Sequence, residues 1–287
     1  MTRRLLIQVL RSHTLMSEAP ILHVSPILQR LGVPHCFTTR VGGSVGVSRG
    51  VFSSLNFGNP GELPKEQRDP PSNIHANLVA VANALGVPTR PVVQVHQVHG
   101  GDVHFLDRSA MSNPELIRHD PKADAIVTTA PVLAGIRTAD CAPILLASDD
   151  GSVVGVVHAG WRGVVAGVLL RAIEVMRQHG AKRVVASIGP CIGAKAFEVD
   201  ADVATQFQAC FGGDSQVVIE HARKPGSTVQ KYGVDLQRAL RLQLEQSGVH
   251  EFDVVDHCTY ERSDLYFSHR REKGMTGRMI ALIGPAT

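Results

Sequence analysis

Three short segments carry side chains able to hold a metal ion. They are Gln97-Val98-His99-Gly100, Arg137-Thr138-Ala139-Asp140-Cys141-Ala142-Pro143 and Val157-His158-Ala159-Gly160-Trp161-Arg162-Gly163. One thiolate and two imidazoles suit a tetrahedral Zn2+ whose fourth position stays open for water or substrate, the donor count of a catalytic zinc site. The separations between His99, Cys141 and His158 are long, unlike the close pairs of a zinc finger, so spacing alone does not select this trio. His99 also reads as a surface side chain, one of fourteen histidines, and Cys141 as a core thiol. A further reading needs no metal: Cys141 as nucleophile with His158 as its base.

Side chains that share a reaction need rigid elements beneath them. Apolar, β-branched runs predict strands over 92–95, 103–106, 125–128, 133–137, 144–147, 153–158, 183–188, 252–255 and 279–283. Many read as buried on both faces. Helices are predicted over 73–85, capped by Ser72 or Asn73, over 163–179 with Gly180 closing it, over 201–211, and over 235–247. Residues 59–72, rich in Pro and charge, read as a surface loop. Strands and helices interleave, but several strands follow one another directly. The fold class is therefore α/β (α+β): a single domain of mixed β-sheets flanked by helices, spanning 21–287. Residues 1–20 read as an N-terminal extension, with Met16 as an alternative start. No GxGxxG or phosphate-loop pattern stands at a strand-to-helix turn, which disfavours a dinucleotide or nucleoside triphosphate site.

The 287 residues allow a well-buried core. A net charge of +3, with Lys and Arg scattered, leaves no footprint for nucleic acid. The longest apolar runs fall far short of the roughly 20 residues of a bilayer span. Arg11 and His13 interrupt the apolar stretch after Arg4, and no small-residue cleavage site follows, which argues against a signal peptide. Five widely spaced cysteines, an odd number, point to reduced thiols in a cytoplasmic protein.

The wording of the segments adds more. FTTRVGG (37–43), LNFG (55–58), QVHG (97–100), TADCAP (138–143), HAGWRG (158–163), IGPCIG (188–193), CTY (258–260) and SHRRE (268–272) occur in one order. Together they resemble the "laccase domain" family, now described as purine nucleoside phosphorylases of the YfiH/YlmD type, over nearly the whole chain. The resemblance implies a YfiH-like fold, related to that of certain bacterial toxin deamidases. It also implies a zinc site of one Cys and two His, which map to His99, Cys141 and His158. QVH occurs twice, but only His99 is followed by glycine and then, shortly, an apolar strand; His96 is not. The implied activity is phosphorolysis of adenosine, inosine and S-methyl-5′-thioadenosine, with adenosine deamination beside it. Partners would then be a purine nucleoside and phosphate, acting on a monomer or homodimer.

On this reading Arg40, Arg162 and Arg271 are candidates to grip phosphate, since guanidinium binds oxyanions through paired hydrogen bonds. Structural ion pairs are the alternative for each. Asn56 and Asn77 are candidates for the nucleoside pocket, Phe37 and Tyr266 for stacking on a base, and Trp161 for packing the HAGWRG turn. Asp140 either orients a histidine ligand or caps a turn. Copper is the alternative metal, as in a polyphenol oxidase, but one Cys and two His do not build a multinuclear copper centre. Editing of cell-wall peptide precursors by a metal-free Cys–His pair is the remaining enzymatic alternative.

Overall fold

The computed structural model describes residues 19–286 other than 44–51, 53, 62, 114, 117–119, 213, 215 and 224–227. The N-terminal extension expected over 1–20 lies, up to residue 18, outside the described residues. In chain order the elements begin β1 (Leu22–His23), α1 (Pro26–Arg30), β2 (His35–Thr38), α2 (Pro71–Ala84), β3 (Val92–Val93), β4 (Val103–Leu106), β5 (Ala125–Thr128), β6 (Leu133–Thr138) and β7 (Ala142–Ser148). They continue β8 (Val154–Ala159), α3 (Trp161–Val165), α4 (Val168–Gln178), β9 (Val184–Ile188), β10 (Glu198–Val199), α5 (Ala201–Phe211), β11 (Val218–Glu220), β12 (Tyr232–Val234), α6 (Leu236–Gln246), β13 (Phe252–Val254) and β14 (Met279–Ile283).

Two mixed sheets carry the architecture. One has the order β1-β2-β14-β6-β3 and the other β13-β9-β7-β8-β5-β4, with a small β10-β12-β11 sheet beside them. Alternation along the strands shows how they stack. In β14, Ile280 and Leu282 face α2 through Val81 and Ala82. Ala281 and Ile283 face the other way, into a core shared with Leu145, Ala147, Val154 and Val156 of the six-stranded sheet. In β7, Ile144 and Leu146 turn outward to Leu169, Ile173 and Met176 of α4 and to Leu240 of α6. The order of layers is thus helix, sheet, sheet, helix. The central strands are buried on both faces, which is why they read as unbroken apolar runs. Each large aliphatic side chain so buried contributes about 1.5–3 kcal/mol.

Two expected helices differ. The one expected over 163–179 is two helices, because Gly167 stands at φ 74° between α3 and α4. That left-handed residue ends one helix and turns the chain into the next. The helix expected from Ser72 or Asn73 starts earlier, at Pro71, whose fixed φ suits a first helical position. Asn73 is not its cap; its side chain donates to Asp69 (2.8 Å).

The chain passes from the five-stranded to the six-stranded sheet between β3 and β4, and again between β6 and β7. These two crossings carry His99 and Cys141.

Candidate metal centre

Strand register brings the site together. β7 and β8 pair antiparallel with Pro143 opposite His158, so Cys141, one residue before β7, lies beside the end of β8. On the other side β5 pairs antiparallel with β8, Ala125 opposite Val157. That register sets Asp124 against His158, and the His158 amide donates to the Asp124 carbonyl (2.7 Å).

Asp124 is fully buried, and its carboxylate is the hub of the site. Oδ1 accepts from His158 Nδ1 (2.8 Å) and from the His99 amide (2.9 Å). Oδ2 accepts from the amides of Gly100 (2.6 Å) and Val98 (3.2 Å). One side chain therefore fixes the ring of one histidine and the backbone of the other. It also leaves Nε2 of His158 free to face outward. A carboxylate behind a ligating imidazole fixes its tautomer and strengthens it as a donor. The loop is tightly held: His99 sits at φ 59° and Asp140, beside Cys141, at φ 93°. Side chains other than glycine occupy such backbone at a cost, and these cases cluster at functional sites.

The ligating atoms of His99, Cys141 and His158 lie within 4.8 Å of one another; His99 is exposed, Cys141 half-buried and His158 buried. The two imidazole rings meet edge to face, centroids 4.9 Å apart. Gly160 closes the floor, where a Cβ would come within 3.1 Å of both Cys141 Sγ and the His99 ring. The donors fit zinc, since a thiolate and two imidazoles with an open side are a known catalytic set. Tetrahedral ligand atoms stand roughly 3.5 Å apart, so closure asks for about 1 Å of movement, which the exposed His99 ring can supply.

Burial disfavours the thiolate of Cys141, but the imidazoles of His158 and His99 outweigh it and bring the thiol down to about 6. Burial likewise opposes a charged His158, yet the Cys141 sulfur and the Asp124 carboxylate raise it to about 9. For Asp124 burial works against ionisation, and the bonds from His158 and the amides of Gly100 and His99 still hold its carboxyl below the usual range. Without metal, each group's shift favours the charged form of the other, a thiolate beside an imidazolium.

The trio opens on a cavity of about 720 Å³. Ile192, Phe197 and Leu236 give it an apolar wall, and Arg137, Arg162, Arg270 and Arg278 a cationic one. Arg162 lies 4.5 Å over the Trp161 ring, so Trp161 both packs the turn and lines the cavity. His96 stands exposed at the rim, 3.8 Å from Asp120, and is not part of the three-residue group.

Several expected site residues lie elsewhere. Arg271 does not line the cavity: it donates to the carbonyls of Thr259, Tyr260 and Tyr266 and to Glu272. Arg40 also lies off it, 4.5 Å over the Phe267 ring and 4.0 Å from Glu272. These two arginines bind the closing loops together. Asn56 is buried, donating to Asp69 (2.9 Å) and accepting from the amides of Gly58 and Arg278. Asn77 donates to the Asn56 carbonyl. Both asparagines brace the wall rather than line it. Phe37 is core, and the Tyr266 hydroxyl is engaged with His257 and His23 (2.8 and 2.7 Å). Asp140 makes no hydrogen bond to either histidine. Its carboxylate accepts from Thr259 Oγ1, Ser268 Oγ and the Arg270 amide, tying the TADC turn to the closing loops. Sequence reasoning missed Asp124 and gave no role to Gln97 or Arg137, although both stand in the segments it singled out. A lone aspartate opening a wholly apolar run, Ala123-Asp124-Ala125-Ile126-Val127, was the available signal.

A family model described as multi-copper polyphenol oxidoreductase laccase matches residues 34–286. The chain is similar to the purine nucleoside phosphorylase of Deinococcus radiodurans, 37% identical over 264 residues that cover 90% of this chain and 92% of that protein. It is 34% identical over 256 residues to Escherichia coli purine nucleoside phosphorylase YfiH, covering 89% of this chain and 95% of that one. The crystal structure of YlmD from Geobacillus stearothermophilus matches with a TM-score of 0.77 at 29% identity, covering 94% of this chain and all of that one (100%).

Proposed function

The chain belongs to the family described as multi-copper polyphenol oxidoreductase laccase, and from that premise we propose that it is a purine nucleoside phosphorylase whose His99–Cys141–His158 group holds one zinc ion. The observation that carries this is the group itself, three convergent soft and borderline donors facing a roomy cavity with an apolar and a cationic wall. Among the described residues it is the one cluster of three or more such donors. A multinuclear copper centre needs more ligands than that, and no second donor cluster stands among the described residues. The proposed substrates are adenosine, inosine and S-methyl-5′-thioadenosine, with adenosine deamination as a second activity.

In phosphorolysis a phosphate oxygen bonds to C1′ of the ribose as the bond to the purine N9 breaks, giving free base and ribose 1-phosphate. Arginines at the cavity hold the anionic phosphate in line with C1′, and preorganised charge of this kind lowers barriers to charge redistribution. Ile192, Phe197 and Leu236 exclude water from the flat base. Zinc bound by the trio supplies Lewis acidity at the cavity floor. Asp124 keeps both histidines in the orientation that ligation requires.

A second reading has its own support. A thiol at about 6 beside an imidazole at about 9 is the charge state of a cysteine nucleophile and its base. Chelation separates the two readings. Protein verified free of metal should lose phosphorolysis of adenosine and regain it on adding zinc, followed by chromatography of adenine and inosine. Full phosphorolysis in the metal-free protein would overturn the zinc assignment. Cys141→Ala should lose both zinc and turnover.

A further inference from the structure

Among the described residues the guanidinium of Arg137 has no hydrogen-bonding or ion-pair partner. Arg137 is the penultimate residue of β6, and its backbone is gripped on both sides by Gln97: its amide donates to Gln97 Oε1 and its carbonyl accepts from Gln97 Nε2, both at 2.8 Å. Its guanidinium, by contrast, makes no hydrogen bond and no ion pair among the described residues, although it lines the cavity. The other cavity arginines are engaged. Arg162 lies on Trp161, Arg270 donates to the Glu198 carbonyl, and Arg278 donates to those of Thr276 and Gly277. Burial pulls the Arg137 guanidinium below its usual range, and the charge of Asp120 only partly opposes this. Asp120 itself is exposed at the rim.

The surroundings are short of anions. Four arginines line the cavity against one carboxylate, Asp140, and that carboxylate is spent on Thr259, Ser268 and the Arg270 amide. Arg137 and Arg278 run side by side beneath Gly58, where a Cβ would meet Arg137 Cδ at 3.2 Å and Arg278 Cγ at 3.3 Å. The last residue of the LNFG motif therefore makes room for two arginine stems. A partly desolvated guanidinium with unused donors is costly unless an anion completes it.

We propose that Arg137, flanked by Arg278 across Gly58, forms an oxyanion subsite of the cavity and binds a phosphoryl group, as inorganic phosphate or as the phosphate ester of a nucleotide. For inorganic phosphate as co-substrate, this rests on the phosphorolysis reading above; as a binding site it stands without it. Guanidinium matches a tetrahedral oxyanion through two parallel hydrogen bonds, where an ammonium offers one point charge.

The test uses the full-length, zinc-loaded protein, Arg137→Gln and Arg137→Lys. Phosphate dependence of adenosine phosphorolysis is measured together with calorimetric binding of inorganic phosphate and of adenosine 5′-monophosphate. Losing charge-assisted bonds should raise KM and Kd for phosphate about ten- to a hundredfold in Arg137→Gln, with the KM for adenosine, the zinc content and the thermal midpoint unchanged. Arg137→Lys should recover part of the loss. Unchanged phosphate binding with monophosphate binding weakened by that factor assigns the subsite to the ester. Equal binding of both anions by wild type and Arg137→Gln overturns the proposal, even if phosphorolysis is confirmed. A wild type that binds phosphate through Arg137 but does not split adenosine retains the subsite and removes the phosphorolysis reading.

Discussion

Asp124 decides how well three ligands behave as one site. Its four hydrogen bonds reach the His158 ring and the backbone amides of Val98, His99 and Gly100. We expect Asp124→Asn to keep the fold and to weaken zinc about ten- to a hundredfold, the usual cost of removing such a supporting carboxylate. The same change should lower the His158 pKa in the metal-free protein, read by NMR titration; a merely structural role would leave that titration in place. Unchanged zinc affinity would refute a positioning role. In the unmodified protein His158 is raised to about 9 and must be neutral to ligate. Zinc affinity should therefore rise with pH toward about 9, with roughly one proton released per ion near neutrality. Below about 6 the Cys141 thiolate protonates as well and a second proton competes. At this scale the sequence was legible where a residue belongs to a motif: His99, Cys141 and His158 stand in recognisable text. Asp124 stands in none. Its importance comes from strand register, which places it against His158 from another part of the chain.

Among elements, strands made of continuous apolar runs announced themselves. Those over Val103–Leu106, Ala125–Thr128 and Met279–Ile283 match the apolar runs residue for residue. The two- and three-residue strands Leu22–His23, Glu198–Val199, Val218–Glu220 and Tyr232–Val234 went unseen, being too short to show a period. His35–Thr38 was missed for another reason: a buried His and Thr interrupt its apolar character. Turns carry charge chemistry of their own. Between β7 and β8, Asp150 accepts from Ser148 Oγ (2.6 Å), the Ser152 amide (3.0 Å) and Ser152 Oγ (2.8 Å). Those bonds, the Ser148 hydroxyl first, hold its carboxyl at about 2. A depressed carboxyl stabilises the fold above the ordinary carboxylate range, and that contribution fades as pH falls toward 2. Asp150→Asn should therefore be less stable at pH 7 by under about 1 kcal/mol, since the group is exposed. Urea titrations at pH 7 and near pH 2 should show the difference shrinking in acid; a difference that grows in acid would refute the assignment.

At the scale of the whole molecule, the expectation of mixed sheets flanked by helices agrees with the architecture, but the face-to-face packing of the two sheets was not readable. A strand buried on both faces has the same composition whether a helix or a second sheet covers it. The ligands ride on this arrangement, for His99 lies on one passage between the sheets and Cys141 on the other. An ion that binds the folded chain alone adds stability by mass action, about 2.7 kcal/mol at a hundredfold excess over Kd. The thermal midpoint should rise with free zinc in wild type and stay flat in Cys141→Ala. A midpoint indifferent to zinc in wild type would show that the trio does not hold it.

The double passage has a further consequence for how the centre comes into being. Neither sheet, formed alone, owns the complete set of donors. A nascent chain emerging up to β5 has already made His99 and Asp124, yet it lacks the sulfur and the second imidazole until β6, β7 and β8 have followed. The five-stranded sheet is itself finished only when β14, near the end of the chain, slots between β2 and β6. Metal capture is deferred until β8 has been made and has paired with β5 and β7. A chain stopped before β8 lacks His158 and so offers metal an incomplete set of donors.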